Sequence, residues 1–206
     1  MEQTVASARQ HLKWDFHQKI IIDDSLSAEY RDWLTSEYTD FELHLNATTE
    51  KRGFGGAIRA GWASVSNCDY VFHLEDDFIF NEDINIDDMI TILEENPSLA
   101  QVALKRQPWN DEEHAAGGFM EQNLDAYEQM ESVRISWVKQ SLFFTTNPSL
   151  YSTKLLEIGW PDVPRSEGIF SIEYLLPRGY EFGFLGRKED PPKVTHIGTN
   201  RVGVGY

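Results

Sequence analysis

Apolar residues recur in this chain with two periods, and each switch between them marks a new element. Val5, Ala8, Leu12 and then Phe16 fall on one face and predict a helix over residues 2–14. Lys19-Ile20-Ile21-Ile22 is a short β-branched run, the pattern of a strand buried on both faces. Ser27 stands where it can cap a helix through Leu34, and residues 41–45 alternate as a second strand. Lys51-Arg52-Gly53-Phe54-Gly55-Gly56 leads into a helix over residues 57–65, with Ile58, Trp62 and Val65 on one face. Asn67-Cys68-Asp69 ends it, and residues 70–74 form the next strand. Ile86, Met89, Ile90 and Leu93 mark a helix closed by Asn96-Pro97, and residues 101–105 are again strand-like.

From residue 107 to 132 both periods are lost, and Gly117-Gly118 sits in the middle, which predicts a long loop or lid. Regular structure is expected to return around Leu142-Phe143-Phe144, followed by Asn147-Pro148 and a helix ending near Gly159. Ser166-Glu167 reads as the capped start of a helix running to about Leu176, and residues 180–185 and 193–197 as late strands. The Gly-rich tail, residues 198–206, is either a flap or a plain terminus. Strands alternating with helices imply an α/β sandwich with a mainly parallel central sheet flanked by helices. Neither an internal repeat nor a low-complexity linker divides residues 1–206, so one domain is expected.

Composition narrows the function classes. With 41% hydrophobic and 13% aromatic residues the chain suits a globular core, and no apolar run approaches the roughly 20 residues of a membrane span. Met1 to Asp15 lacks the apolar segment of a signal peptide. Cys68 is the single cysteine, which excludes an internal disulfide framework and a cysteine-built zinc site and makes a reducing, cytoplasmic setting the default. The net charge of −16, from 18 Lys and Arg against 34 Asp and Glu, disfavours nucleic acid as a partner. It leaves room for one small diphosphate held through a metal. Oligomeric state, including a homo-oligomer, is left open.

The candidate chemistry lies in Tyr70-Val71-Phe72-His73-Leu74-Glu75-Asp76-Asp77-Phe78-Ile79-Phe80, an apolar strand that ends in three adjacent carboxylates. Three neighbouring acids repel one another unless hydrogen-bond donors or a cation compensate them, and hard divalent cations prefer carboxylate oxygen. A solvated strand end is the alternative on spacing alone. Asp23-Asp24 closes the earlier isoleucine strand in the same way, so both acidic clusters sit at carboxyl ends of strands, where ligands bind in open α/β folds. That coincidence favours a site.

A strand ending in Asp23-Asp24-Ser25, a Gly-rich helix start and a strand ending in an acidic triplet together resemble nucleotide-sugar glycosyltransferases of the GT-A fold, in particular the inverting group called family two. The likeness runs over residues 3–196 and implies a nucleotide-binding half at about residues 1–105 and an acceptor-side half at about 106–206. It implies transfer from a nucleotide-diphosphate sugar, expected to be UDP-linked, to an acceptor (glycan, protein or small molecule) that the sequence does not identify. Mn²⁺ or Mg²⁺ is the implied cofactor. Asp24, with Asp23 beside it, matches the acid that contacts the base. The triplet matches the family's DxD-type motif: Asp77 would ligate the metal, while Glu75 and Asp76 would reach the ribose or share the metal. Arg59 stands where the family's helix against the nucleotide has asparagine, and is a candidate contact to phosphate or base. Glu167 matches the glutamate of the usual Glu-Asp catalytic pair, with Gly168 in place of the aspartate; it is the first choice for general base and Glu173 the second. His196 resembles the C-terminal histidine that serves as a further metal ligand. His73 is expected to pack in the core, and Trp109, Trp137 and Trp160 are core residues or stacking surfaces for sugar.

The family also begins with a central strand that has no counterpart before the first helix here. Its expected place is between the strands ending at Asp23 and Leu74, and either N-terminal truncation or supply by another segment or subunit is expected. A degenerate, non-catalytic sugar-nucleotide or glycan binder is the rival reading, drawn from that gap and from Gly168. A nucleotidyltransferase would need a Gly-rich basic loop near the N-terminus, and a haloacid-dehalogenase-type phosphatase an Asp-x-Asp after its first strand; Asp23-Asp24-Ser25 supplies neither.

Overall fold

The structure, a computed structural model, describes residues 1–46, 48–133 and 135–198. Residues 199–206, most of the Gly-rich tail considered above as a flap, lie outside the described residues. The chain opens with α1 (Glu2–His11), and β1 (Ile20–Ile22) pairs in parallel with β2 (Glu42–His44) across α2 (Ala28–Glu37). Ser27 caps α2 by accepting from the Tyr30 amide at 3.1 Å, as its position predicts. Then follow α3 (Gly53–Ser64), β3 (Tyr70–His73), β4 (Phe78–Phe80), α4 (Ile86–Glu95) and β5 (Leu99–Ala103). Each of these elements except β4, for which no strand is predicted, falls within a few residues of its predicted span.

The second half departs from expectation. Residues 107–132 are not a structureless lid: they hold α5 (Asp111–Ala116), a 3-10 segment (Glu121–Ala126) and β6 (Tyr127–Ser132). Asn110 caps α5 through the Glu113 amide at 2.8 Å, and Gly117 closes it at φ 93°. β6 escaped detection because it is the edge strand, with Glu128, Gln129 and Glu131 outward, the polar dress that edges carry. β7 (Ile135–Gln140) begins before the Leu142-Phe143-Phe144 run, which lies in a loop, and β8 (Ser149–Ser152) occupies much of the span expected to be helical. A 3-10 segment (Thr153–Ile158) follows. α6 (Ser166–Ile169) continues through a π-helical stretch (Phe170–Leu175) and a 3-10 turn (Leu176–Arg178) into β9 (Glu181–Leu185), and β10 (Val194–His196) comes last.

The main sheet has six strands in the order β3-β8-β5-β9-β7-β6. It is mixed rather than mainly parallel: only β5 and β9 are parallel neighbours within it, and the other four pairings are antiparallel. The reason is connectivity. A parallel neighbour needs a crossover of a dozen or more residues, usually a helix, and no helix separates β6, β7 and β8. The tight hairpin and the return of β8 alongside β5 therefore make antiparallel contacts.

Side chains alternate across this sheet with the period of two that strands impose. Phe72, Val102 and Leu150 face the core that α4 covers with Met89 and Ile92. Val71 and Tyr151 face the opposite core, beneath α3 and the α6 region, with Trp62, Trp160 and Phe170, and Ala100 joins them because the β5 register shifts between Leu99 and Gln101. Among the described residues no ladder joins β1 to β3, the place where a further strand is expected from the sequence. Two helices hold the β1–β2 pair to the sheet instead. On one side α1 packs Val5 against Ile21 while its Ala8 meets the β4 core. On the other, Trp62 of α3 donates to the Tyr151 hydroxyl at 3.0 Å.

Ile92 is 0% exposed in the α4 core, so Ile92→Ala should lower unfolding free energy by about 2–5 kcal/mol in urea titration. Val163→Ala, at a residue 47% exposed, should stay within about 0.5 kcal/mol of the parent.

Candidate functional site

β3 ends at His73, and Leu74-Glu75-Asp76 turns the chain into Asp77 at the head of β4. Because β4 pairs antiparallel with β10, Phe78 lies opposite His196 and the Ile197 amide donates to the Asp77 carbonyl at 2.8 Å. That register puts His196 Nε2 3.1 Å from Asp77 Oδ2, both side chains being largely buried. Two aromatic rings pack on the His196 imidazole: the Phe78 ring stacks at 4.7 Å and the Trp109 ring lies tilted by 34° at 4.0 Å between centroids. Its backbone is clamped by Gln107, whose Oε1 accepts from the His196 amide at 2.8 Å and whose Nε2 donates to the His196 carbonyl at 2.8 Å. Gly198 closes the site; a Cβ there would stand 2.2 Å from Asp77 Oδ2 and 3.0 Å from His196 Nε2, too close for any side chain without displacing the pair.

Beside this pair lies a second acidic group. Glu167, at the start of α6 after Arg165 in the left-handed region (φ 58°), accepts from the Thr146 amide at 2.7 Å and the Thr146 hydroxyl at 3.1 Å. Burial raises its pKa, opposed by hydrogen bonds from Thr146 and Thr145 and by the charge of Arg106. Glu75 also hydrogen-bonds the Thr146 side chain, and burial, reinforced by the charges of Asp77, Glu167 and Asp76, pushes its carboxyl up to about 8. One hydroxyl carries one proton, so Thr146 bonds two carboxyls well only when one of them is protonated. Burial and the neighbouring charges of Asp77, Glu167 and Asp76 favour the protonated form of Glu75.

The remaining predicted residues are distributed around this centre. Asp76 presents its carbonyl to the Met1 ammonium at 2.7 Å and to the Thr4 hydroxyl at 2.7 Å. Tyr30 is pushed up to about 12 by burial and then by the charges of Asp76 and Asp23, which places these three groups in one electrostatic neighbourhood at the β1 and β3 ends. Asp23 is 4% exposed; its Oδ1 accepts from the Ser25 amide at 2.9 Å and its buried Oδ2 has no hydrogen-bond partner. Asp24 is engaged inside the fold. Its Oδ1 accepts from the Arg52 amide and from Asn46 at 2.7 and 2.8 Å, and its Oδ2 accepts from the Gly53 amide at 2.9 Å, so it anchors the N-terminus of α3. Arg59 pairs with Asp162 at 2.7 Å and donates to the Pro161 carbonyl at 3.3 Å, facing the loop before α6. Glu173 is exposed on the π-helical stretch. Trp137 and Trp160 are core residues at 1% and 5% exposure, and burial lowers the pKa of His73 to about 4.

Sequence reasoning passed over Thr146, Arg106, Gln107 and Gly198. A usable signal existed for two of them, because Arg106 and Gln107 follow the carboxyl end of β5, the location that marked the acidic clusters. Thr146 and Gly198 belong to loops whose approach to the acids only the tertiary structure reveals.

Among the described residues no three His, Cys, Asp or Glu side chains converge as a metal-holding group. Asp77 and His196 do converge, and a carboxylate oxygen beside an imidazole nitrogen is a donor pair that fits a divalent cation.

No family model matches the chain, and no curated protein matches it. Solved structures do: 26 chains match. One is a crystal structure of GalNAc-T7 with UDP, GalNAc and Mn²⁺, at TM-score 0.64 and 10% identity, covering 94% of this chain and 40% of that one. At this identity the likeness establishes the fold, that of a GT-A glycosyltransferase, and the chain spans well under half the length of that neighbour.

The raised Glu75 has a measurable consequence for stability. Its carboxyl ordinarily titrates near 4.5 and in the fold near 8, so between those values the folded state binds more protons than the unfolded one. Its contribution therefore falls as pH rises through that window. In metal-free buffer, Glu75→Gln should flatten the loss of Tm between about pH 5 and 8; a parent and variant with the same slope would contradict the assignment.

Proposed function

We propose that this chain is a metal-dependent glycosyltransferase that takes a sugar from a nucleotide diphosphate, a UDP-sugar in the first instance, and passes it to an acceptor hydroxyl with inversion. The observation that carries this reading is the Asp77–His196 pair at the carboxyl end of β3, on a fold shared with a UDP- and Mn²⁺-bound glycosyltransferase. Asp77 and His196 would hold the cation, Mn²⁺ or Mg²⁺, with Glu75 and Asp76 beside them toward the ribose. A cation bound there supplies positive charge to a departing diphosphate. Asp23, with its unpartnered buried oxygen, supports a nucleoside contact at the β1 end more directly than Asp24, whose oxygens are engaged by α3.

Glu167 is the general base in this reading. Inverting transfer forms the bond from acceptor oxygen to the anomeric carbon as the bond to diphosphate breaks, and the hydroxyl proton must pass to a carboxylate. Glu167 is partly buried, held in one orientation by Thr146, and its pKa is raised by burial, whereas Glu173 is exposed. A non-catalytic sugar-nucleotide or glycan binder is the second reading. It draws on Gly168 in place of an aspartate and on the lack of a ladder between β1 and β3.

Hydrolysis and transfer of UDP-sugars with and without Mn²⁺ separate the two. The transferase reading expects Mn²⁺-dependent turnover, loss of donor binding in Asp77→Ala, and a fall in kcat of at least about a hundredfold in Glu167→Gln with donor affinity retained. A product whose anomeric configuration is inverted by NMR supports the stereochemistry. Saturable donor binding without turnover favours the binder, and metal-dependent donor binding that survives Asp77→Ala would remove the Asp77 cation site on which the transferase reading rests.

A further inference from the structure

We propose that Gln107 and Trp109, on the segment leaving β5, are positioning residues that fix His196 as a cation ligand, with the Arg106–Glu113 ion pair as the anchor of that segment. The inference rests on the reading of Asp77 and His196 as the cation-holding pair.

His196 reaches Asp77 across 119 positions of sequence, and it stands at the last residue of β10, where the ladder gives least support. An imidazole free to turn about its side-chain torsions would lose the Nε2 orientation that a ligand needs. The β5 segment and Phe78 of β4 together restrain it. Gln107 takes both backbone groups of His196, donor and acceptor, at 2.8 Å each, so it acts as one further rung beyond the end of β10. Trp109 packs on the imidazole at 4.0 Å and Phe78 stacks on it at 4.7 Å, and its Nε2 meets Asp77 Oδ2 at 3.1 Å.

The segment itself is held by Glu113, 6% exposed at the first turn of α5. Its carboxylate accepts from Arg106 at 2.6 and 3.0 Å, from the Trp109 amide at 2.8 Å and from Asn110 at 3.3 Å. Arg106 in turn lies over the Phe119 ring at 5.3 Å and donates to the Gln107 carbonyl at 2.8 Å. A bidentate Arg–carboxylate pair is among the most directional contacts available, and here it spans the turn that carries Gln107 and Trp109. Partners that orient a ligating histidine commonly govern metal affinity about 10–100-fold.

The test is Mn²⁺ binding to the full chain, followed by the EPR signal of free Mn²⁺ and by calorimetry, with Tm recorded for every variant. Trp109→Leu and Gln107→Leu should each weaken Mn²⁺ at least about tenfold while Tm stays near the parent's, and Trp109→Phe should restore affinity to within about threefold. Gln107→Glu, which keeps the acceptor for the His196 amide and loses the donor to its carbonyl, should fall between and serves where the leucine variant does not fold. His196→Ala is the reference. Parent binding that drops in His196→Ala but not in folded Trp109→Leu and Gln107→Leu overturns the positioning role alone. A parent without saturable Mn²⁺ binding, or one matched by His196→Ala, overturns the cation reading and the inference with it.

Discussion

The antiparallel pairing of β4 with β10 is the constraint on which the rest of the site depends. Asp77 belongs to the first half of the chain and His196 to its end, and only the register Phe78↔His196 brings them within 3.1 Å. A one-residue slip would turn His196 to the other face of the strand, because side chains alternate with period two. Several contacts guard that register from outside the ladder. The Ile197 amide bonds the Asp77 carbonyl, the Asn81 amide donates to the Lys193 carbonyl and its Oδ1 accepts from the Thr195 hydroxyl at the far end, and Gln107 grips the His196 backbone. Core packing contributes as well, since Phe78, Phe80 and Val194 are nearly fully buried together.

Around this pairing the protein has placed carboxyl groups where burial is unfavourable to their charge, and compensates each differently. Asp77 faces an imidazole, Glu113 an arginine, and Glu167 the amide and hydroxyl of Thr146. Glu75 is compensated least and holds its proton to about 8. The site thus holds several buried carboxyls in a chain of net charge −16, each with a partner or a raised pKa.

Much of the first half was legible in the sequence because its helices and strands are segregated: Ile20-Ile21-Ile22 and Tyr70-Val71-Phe72-His73 are pure strand patterns, and the α4 stripe is a pure helical one. The second half was less so. β6 is polar because it is an edge, and β8 is four residues long, so its apolar content (Leu150, Tyr151) cannot distinguish strand from helix. The mixed sheet followed from those omissions. Within the site, Glu75, Asp76 and Asp77 were identifiable as acids at a strand end, and Glu167 and His196 through resemblance. Their partners were not. Thr146, Gln107 and Trp109 matter through long-range contacts that no local period encodes, and Asp24 shows the converse, an acid whose position at a strand end serves to anchor α3.

The central claim is that Asp77 and His196 together seat a divalent cation that holds a nucleotide diphosphate. Crystals grown with UDP and Mn²⁺, with data collected on either side of the manganese absorption edge, address it most directly. The account predicts an anomalous peak bonded to Asp77 Oδ and His196 Nε2, with diphosphate oxygens completing the coordination. Diphosphate bound with no manganese peak between those two side chains, or a peak seated on other residues, would contradict it.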